Sequence, residues 1–401
     1  MQPTGASSTS THHRPTLFVD AEPFSWKWFA GVPRYTARLV AALSRRVNIR
    51  FFDRDQEIDI PRGTTFDSRL DLEPWARAIW GGPRRRLEID DHPSVALYCG
   101  VRGEERRFDH EIAILYDLCP QIVGWTFPDP ARWGFEKFFA EDLARSDDAI
   151  AISHSTRADA AWLTPMPRER IRVAHPGPSL CIEGHASSGE VRRSPRVGIV
   201  VSTVEPRKNA HFLIDWFHSS QVLPRDMELW WVGKMGWLLS PKELEAMTAP
   251  PGGRRVRFLG NVPDAELCRL YRTASWSIYP SIYEGFGFPV LDALRHGTPV
   301  LTSMNSSLAE FRHPGVFFFD PYDAATVDAA WLEFDRFTGS VIAPAELDRL
   351  YSWDRTAAEV LDLAEAARLR RAATPSMRKR TQSSDATSMR SAAARSEEQG
   401  S

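Results

Sequence analysis

No stretch of this chain is apolar for long enough to cross a bilayer, which takes about 20 consecutive apolar residues. Cysteine is scarce. Cys99, Cys119, Cys181 and Cys268 are four among 401 residues, and no C-x-x-C pair occurs. That scatter indicates neither a zinc knuckle nor a disulfide framework and leaves reduced, idle thiols. An excess of one charge is also missing. The net charge of −2 gives no general pull toward nucleic acid or membrane. No G-x-G-x-x-G fingerprint is present, so a nicotinamide or flavin dinucleotide site is not supported. His110, His154, His175, His296 and His313 share no metal-ligand spacing, and structural histidines with no bound metal are expected. Residues 1–14 are Ser/Thr-rich without the apolar core of a secretory signal. The expected setting is cytoplasmic, with contact at the inner membrane face through Arg378-Lys379-Arg380 set against an inert tail.

What the chain does have is an apolar share of 43% and 25% charged residues, a globular balance at a length sufficient for two domains. Thr16–Asp20 reads as a strand, followed by a loop with Gly31, a helix from Arg34 to Leu43 and a second strand from Val47 to Asp53. Strand, loop, helix, strand is a βαβ unit and implies a parallel sheet with helices packed on it. Further strands are read at Val95–Cys99, Glu111–Asp117 and Ala149–Ser153. The run Arg84-Arg85-Arg86 reads as a solvated loop. The pattern restarts at Arg196–Thr203 and continues through strands at Met227–Val232, Val256–Leu259, Ser275–Pro280 and Pro299–Ser303. The expected division is a disordered start (1–14), a first α/β domain (15–180) and a linker (181–195). A second α/β domain (196–350), a C-terminal helix (351–371) and a disordered tail (372–401) follow.

The chain is organised around Ser281–Leu294. A strand ends at Pro280, a loop with Gly285 and Gly287 follows, and Pro289 stands where a helix begins, a position that needs no N–H. Glycines let backbone approach a ligand, and a helix start offers unpaired N–H groups and a partial positive charge to anionic oxygen. Glu284 and Asp292 frame this loop. Carboxylates repel phosphate, so these two are expected to face hydroxyl groups. A nucleotide sugar supplies both phosphates and hydroxyls. Asp117, at a strand's carboxyl end, is a further candidate, since ligands of open α/β sheets sit there.

Taken together, Gly31-Val32-Pro33-Arg34-Tyr35, Tyr116-Asp117-Leu118-Cys119-Pro120, Ala151–Arg157, His175-Pro176-Gly177, Ser202–Asn209, Glu284–Pro289, Gly297–Val300 and Ser306–Glu310 resemble the family-4 glycosyltransferases. The resemblance covers most of residues 15–370. It implies a GT-B fold, two Rossmann-like domains facing across a cleft. It also implies a retaining hexose transfer, of mannose or similar, from a GDP- or UDP-linked donor to a glycan or lipid-linked acceptor. No cofactor or catalytic metal is implied. On this resemblance Lys208 and Arg207 neutralise the leaving diphosphate, and Glu284 holds the donor sugar. Asp292, in place of the usual Glu, contacts ribose. Backbone at Gly285, Phe286, Gly287 and Phe288 reaches sugar or phosphates, Gly31 closes over the diphosphate, and Asn261 and Val262 meet the base. Thr203 stands where many members have arginine, and Tyr116 where many have histidine. That leaves Asp117 as the main polar group on the acceptor side. Trp26, Trp28 and Trp125 are expected to line an acceptor-sugar groove, with plain loop packing as the competing reading. A catalytically silent protein that binds a nucleotide sugar or glycan is the alternative. Neither the oligomeric state nor the donor is legible.

Overall fold

The computed structural model describes residues 14–27, 29, 31–60, 72–90, 92–100, 102, 105–180, 192–237, 240, 242 and 254–373. Trp28, the expected disordered start, most of the expected linker and the tail beyond 373 lie outside these residues.

Two α/β domains face each other, the architecture the resemblance implies. In the first, strands β1 (Thr16–Asp20), β2 (Asn48–Asp53), β3 (Gln56–Ile58), β4 (Arg84–Arg86), β5 (Val95–Tyr98), β6 (His110–Leu115), β7 (Asp148–Ala151) and β8 (Ile171–Val173) form one sheet. Their order is β4-β3-β2-β1-β5-β6-β7-β8. The pairings from β2 to β8 are parallel, while β3 and β4 add antiparallel. The second sheet has β9 (Ser194–Val201), β10 (Glu228–Val232), β11 (Arg255–Gly260), β12 (Ala274–Tyr279), β13 (Val300–Ser303) and β14 (Val316–Phe319) in the order β11-β10-β9-β12-β13-β14, all parallel. Central strands such as β1 and β13 are buried along their whole length. Helices cover both faces of a parallel sheet, so its strands read as continuous apolar runs.

Arg84-Arg85-Arg86 is an edge strand, not the expected loop. All three residues are exposed. Arg85 pairs with Glu57 at 2.9 Å and Asp59 at 3.2 Å, and the Arg84 guanidinium sits 4.5 Å from the Trp80 ring centroid. Cross-strand acids give three arginines a reason to be extended, and charge on an edge strand also blocks unwanted pairing.

The helix Trp353–Ala372 crosses back from the second domain and packs on the first. Trp353 donates to the Pro178 carbonyl at 2.9 Å and Thr356 to the His175 carbonyl at 2.9 Å. Farther along, Arg371 meets Asp109 at 2.7 Å. Ala357, Val360, Leu363 and Ala364 of this helix are buried. Their spacing of three and four residues is the apolar stripe of a surface helix.

Candidate active site

The loop between β12 and the helix Phe288–Arg295 forms as its sequence dictates. Gly287 has φ of +111°, a backbone conformation L side chains rarely adopt, and a Cβ there would lie 2.7 Å from Leu308. Pro289 sits in the first turn. Ser306 and Ser307 hold the loop from below. Ser306 Oγ accepts from the Glu284 N–H at 3.0 Å, and Ser307 Oγ lies 2.9 Å from the carbonyls of both Glu284 and Phe286. The Phe286 ring is buried among Phe288, Phe311, Tyr351 and His175, so only its backbone is available to a ligand.

Glu284 is the centre of a buried charge cluster. Its carboxylate takes Arg207 at 2.8 Å, the Lys208 ammonium, and the Tyr279 hydroxyl at 3.0 Å. Lys208 also donates to Tyr279 at 2.7 Å, and Arg207 reaches Glu205 at 3.1 Å. Burial alone would raise the Glu284 pKa; Arg207 and then Lys208 outweigh it and lower it to about 2. The paired cations thus favour the Glu284 anion, a hydrogen-bond acceptor. The Lys208 ammonium lies 5.1 Å from the Tyr279 ring centroid, and the Arg207 guanidinium 5.9 Å from that of Phe127.

The domains meet at this cluster. Gly285 lies so close to the Tyr116-Asp117 backbone that a Cβ on it would fall 2.0 Å from the Tyr116 oxygen and 2.8 Å from the Asp117 Cβ. Asp117 turns back to accept from the Cys119 N–H at 3.0 Å. The Tyr116 ring points away, its hydroxyl donating to the Cys99 carbonyl at 2.9 Å. Thr156 Oγ1 lies 3.2 Å from both the Tyr116 and Gly285 carbonyls, one from each domain.

Beside the cluster a cavity of about 740 Å³ opens between the domains. Gly31, Thr203, Asn261, Val262, Phe288 and Asp292 line it, so six expected donor-side residues meet there. Gly31 has φ of +58° and no atom within 4 Å of where a Cβ would stand, leaving its backbone open to the cavity. Asp292 is buried and accepts from the Ser179 hydroxyl and, at 3.1 Å, from the Ser179 N–H. Burial outweighs these bonds and raises its pKa. Arg207, Lys208 and Glu284 are not among the residues that line the cavity, nor are Gly285, Phe286 and Gly287.

Sequence reasoning missed Arg34, Arg38 and Lys234, cationic groups that do face the cavity. Arg34 follows Gly31 by one helical turn, and Lys234 follows Gly233, whose φ of +143° is itself a loop signal. Tyr279 and Glu205 were missed as well, since nothing in their local sequence shows that they reach Glu284 and Arg207.

The histidines expected to be structural make one junction that spacing did not indicate. Ligand atoms of His154, His175 and Glu310 lie within 4.8 Å of one another. Glu310 spends its oxygens on the N–H groups of Ser155 at 2.8 Å and His154 at 3.2 Å and on His175 at 3.0 Å. It thereby fastens the second domain to the start of the helix His154–Leu163.

Among the tryptophans, Trp125 is 63% exposed and stands two residues before Phe127, whose ring centroid lies 5.9 Å from the Arg207 guanidinium. Trp26 is 37% exposed and ties its indole to Glu22 at 2.7 Å. Among the described residues no helix is long and apolar enough to cross a membrane.

Residues 194–333 match the family described as Glycosyl transferases group 1. The chain is 29% identical over 245 residues to O-antigen chain mannosyltransferase B of Escherichia coli, covering 56% of this chain and 59% of that protein. It is 27% identical over 263 residues to the MMP alpha-(1->4)-mannosyltransferase of Mycolicibacterium hassiacum, covering 62% and 61%. The matches thus span about three fifths of these relatives' lengths. Anabaena HepE in complex with UDP-glucose has the same fold, with a TM-score of 0.59 at 16% identity over 87% of this chain and 100% of that one.

Proposed function

We propose, from the match of residues 194–333 to the Glycosyl transferases group 1 family and from the two facing α/β domains, that the chain transfers a hexose, mannose or a similar sugar, from a nucleoside-diphosphate donor to a glycan or lipid-linked acceptor. The observation that carries this reading is the buried, ionised Glu284 held between Arg207 and Lys208, next to the glycine loop that leads into the cavity-lining Phe288. Glu284 accepts hydrogen bonds from the donor sugar's hydroxyls. Arg207 and Lys208 balance the charge that grows on the diphosphate as the bond from C1 to phosphate oxygen breaks. Preorganised cations in a water-poor site do this without reorganising during the reaction. The acceptor oxygen bonds to C1 on the face the diphosphate leaves, the departing phosphate oxygen takes the acceptor's proton, and the configuration at C1 is retained. The two side-chain cations provide the neutralising charge, so no metal is part of the proposal. Transfer into a surface polysaccharide suits the mannosyltransferase relatives.

The test is incubation with GDP-mannose, UDP-glucose and related donors in EDTA, with and without acceptor glycans. One donor should be bound, slowly hydrolysed and, with acceptor, transferred with an α-linked product from an α-linked donor. Binding without any turnover would instead establish the silent binding protein. Trp125 is proposed to stack on the acceptor. Trp125→Ala should raise acceptor KM about 5-fold, as loss of roughly 1 kcal/mol of aromatic contact predicts, and leave donor KM unchanged. An unchanged acceptor KM would remove Trp125 from the groove.

A further inference from the structure

The junction of His154, His175 and Glu310 joins the two domains outside the cavity, which none of the three lines. Both histidines belong to the first domain and Glu310 to the second. His175 Nε2 lies 3.0 Å from Glu310 Oε2. Two ligands each about 2.0–2.1 Å from one tetrahedral zinc ion stand roughly 3.3 Å apart, so this pair has to widen by only a few tenths of an ångström. The ring centroids of His154 and His175 are 5.2 Å apart, with their planes at 72°. Two imidazoles that share such an ion place their centroids roughly 5 Å apart.

The three side chains are also oriented by neighbours. Glu310 Oε1 accepts from the Ser155 N–H at 2.8 Å, and Oε2 accepts from the His154 N–H at 3.2 Å. Each carboxylate oxygen has two acceptor positions, so Oε2 keeps one for an ion that takes the place of the His175 hydrogen. The His175 ring stands against Phe286 and Tyr351, with centroids 6.2 and 5.7 Å away. Its backbone is fixed by Thr356, which donates to the His175 carbonyl at 2.9 Å. Metal sites use outer partners of this kind to aim their ligands. His154 is exposed, and the His175 and Glu310 side chains keep 25% and 22% of their exposure, so an ion and a water can enter.

We propose that His154, His175 and Glu310 bind one zinc ion, with water in the fourth position. The inference is independent of the transferase reading, and the ion takes no part in sugar transfer. Two neutral imidazoles, one carboxylate and one open position form a tetrahedral zinc donor set. Magnesium, which asks for octahedral oxygen ligands, does not suit it. His175 binds through Nε2 as the tautomer that carries its hydrogen on Nδ1. The role of the ion follows from where its ligands stand. His154 begins the helix His154–Leu163, whose Thr156 Oγ1 lies 3.2 Å from the Gly285 carbonyl. Glu310 ends the short helix Ser306–Glu310, whose Ser307 Oγ lies 2.9 Å from the Glu284 and Phe286 carbonyls. Zinc thus staples the two elements that seat the glycine loop, one from each domain.

The experiment is calorimetric titration of the full chain, carrying no affinity tag, with zinc chloride, for wild type and for His154→Ala. His154 meets Glu310 through its backbone N–H, which alanine keeps, so the variant should fold as wild type does. Wild type should bind one equivalent of zinc, and His154→Ala should bind it on the order of 100-fold more weakly, since loss of an outer partner alone costs up to that much. Zinc should raise the melting temperature of wild type and leave that of the variant unchanged. Magnesium should give no binding heat. Absence of zinc binding, or equal binding in His154→Ala, would overturn the proposal; equal binding would place the ion elsewhere, as at His12-His13. Cobalt(II) is the second probe. Four-coordinate cobalt absorbs strongly in the visible and six-coordinate cobalt weakly. A strong band is expected in wild type, and a weak one overturns the site even if the variant fails to fold. Every readout is binding or stability, so failure here leaves the transferase reading standing.

Discussion

Glu284→Ala should abolish transfer and lower stability together, with a loss of about 3–5 kcal/mol in the free energy of unfolding. Glu284 is the anion that Arg207 and Lys208 share, and all three are largely out of water. Removing the carboxylate leaves two cations close together, with Glu205 and the more distant Asp117 as negative groups acting on Arg207. That is the costly way to break a buried ion pair, because the remaining charge is left unbalanced. Chemical denaturation at neutral pH measures the loss. Acid unfolding gives an independent check. The Glu284 pKa falls from 4.5 to about 2 on folding, so its contribution is fully present above 4.5 and disappears as pH drops toward 2. The variant should therefore lose the part of the pH dependence that lies between those values. A variant as stable as wild type, with an identical acid limb, would mean the cluster is not balanced as the geometry indicates.

Gly285→Ala is the second large effect, and it acts through position. The new methyl would fall 2.0 Å from the Tyr116 carbonyl oxygen, a backbone atom of the opposite domain. No rotamer change relieves a clash between Cβ and backbone, so the domains must separate or the glycine loop must shift. Either movement takes Glu284 away from Asp117 and the acceptor side. A misplacement of about 1 Å costs on the order of 100-fold in rate. kcat/KM should fall by at least that much, with only about 1–3 kcal/mol of lost stability. Small-angle scattering should show a larger radius of gyration. Activity within a few-fold of wild type would show that the contact at Gly285 does not belong to the reactive arrangement.

These expectations differ in how far they were visible in advance. The glycine loop was legible because its signals are local. Gly287, with positive φ, and Pro289 in the first turn force the chain to turn between β12 and the next helix. Five of the second domain's six strands, β9 to β13, lie within a few residues of their expected ends, since continuous apolar runs mark a parallel sheet, while β14 (Val316–Phe319) was not anticipated. Residues 54–95 were not read correctly. β3 and β4 have only three residues each, and an arginine-only strand has no apolar pattern to detect.

The sequence by itself determined most of the strands and helices, where the glycine loop sits, and that Asp117 stands near a strand's carboxyl end, where open α/β sheets bind ligands. Tertiary structure alone decided who meets whom. Glu284 takes its cations from 77 and 76 residues away, Asp264 takes Arg34 from 230 and Asp292 takes Ser179 from 113. Periodicity and turn chemistry act over a few residues and set elements. Parallel strand order and the packing of one domain on the other bring distant strand ends to a common cleft. For that reason only the folded protein shows that Arg207 and Lys208, expected to neutralise phosphate, are paired with Glu284. It also shows that Arg34, Arg38 and Lys234 line the cavity.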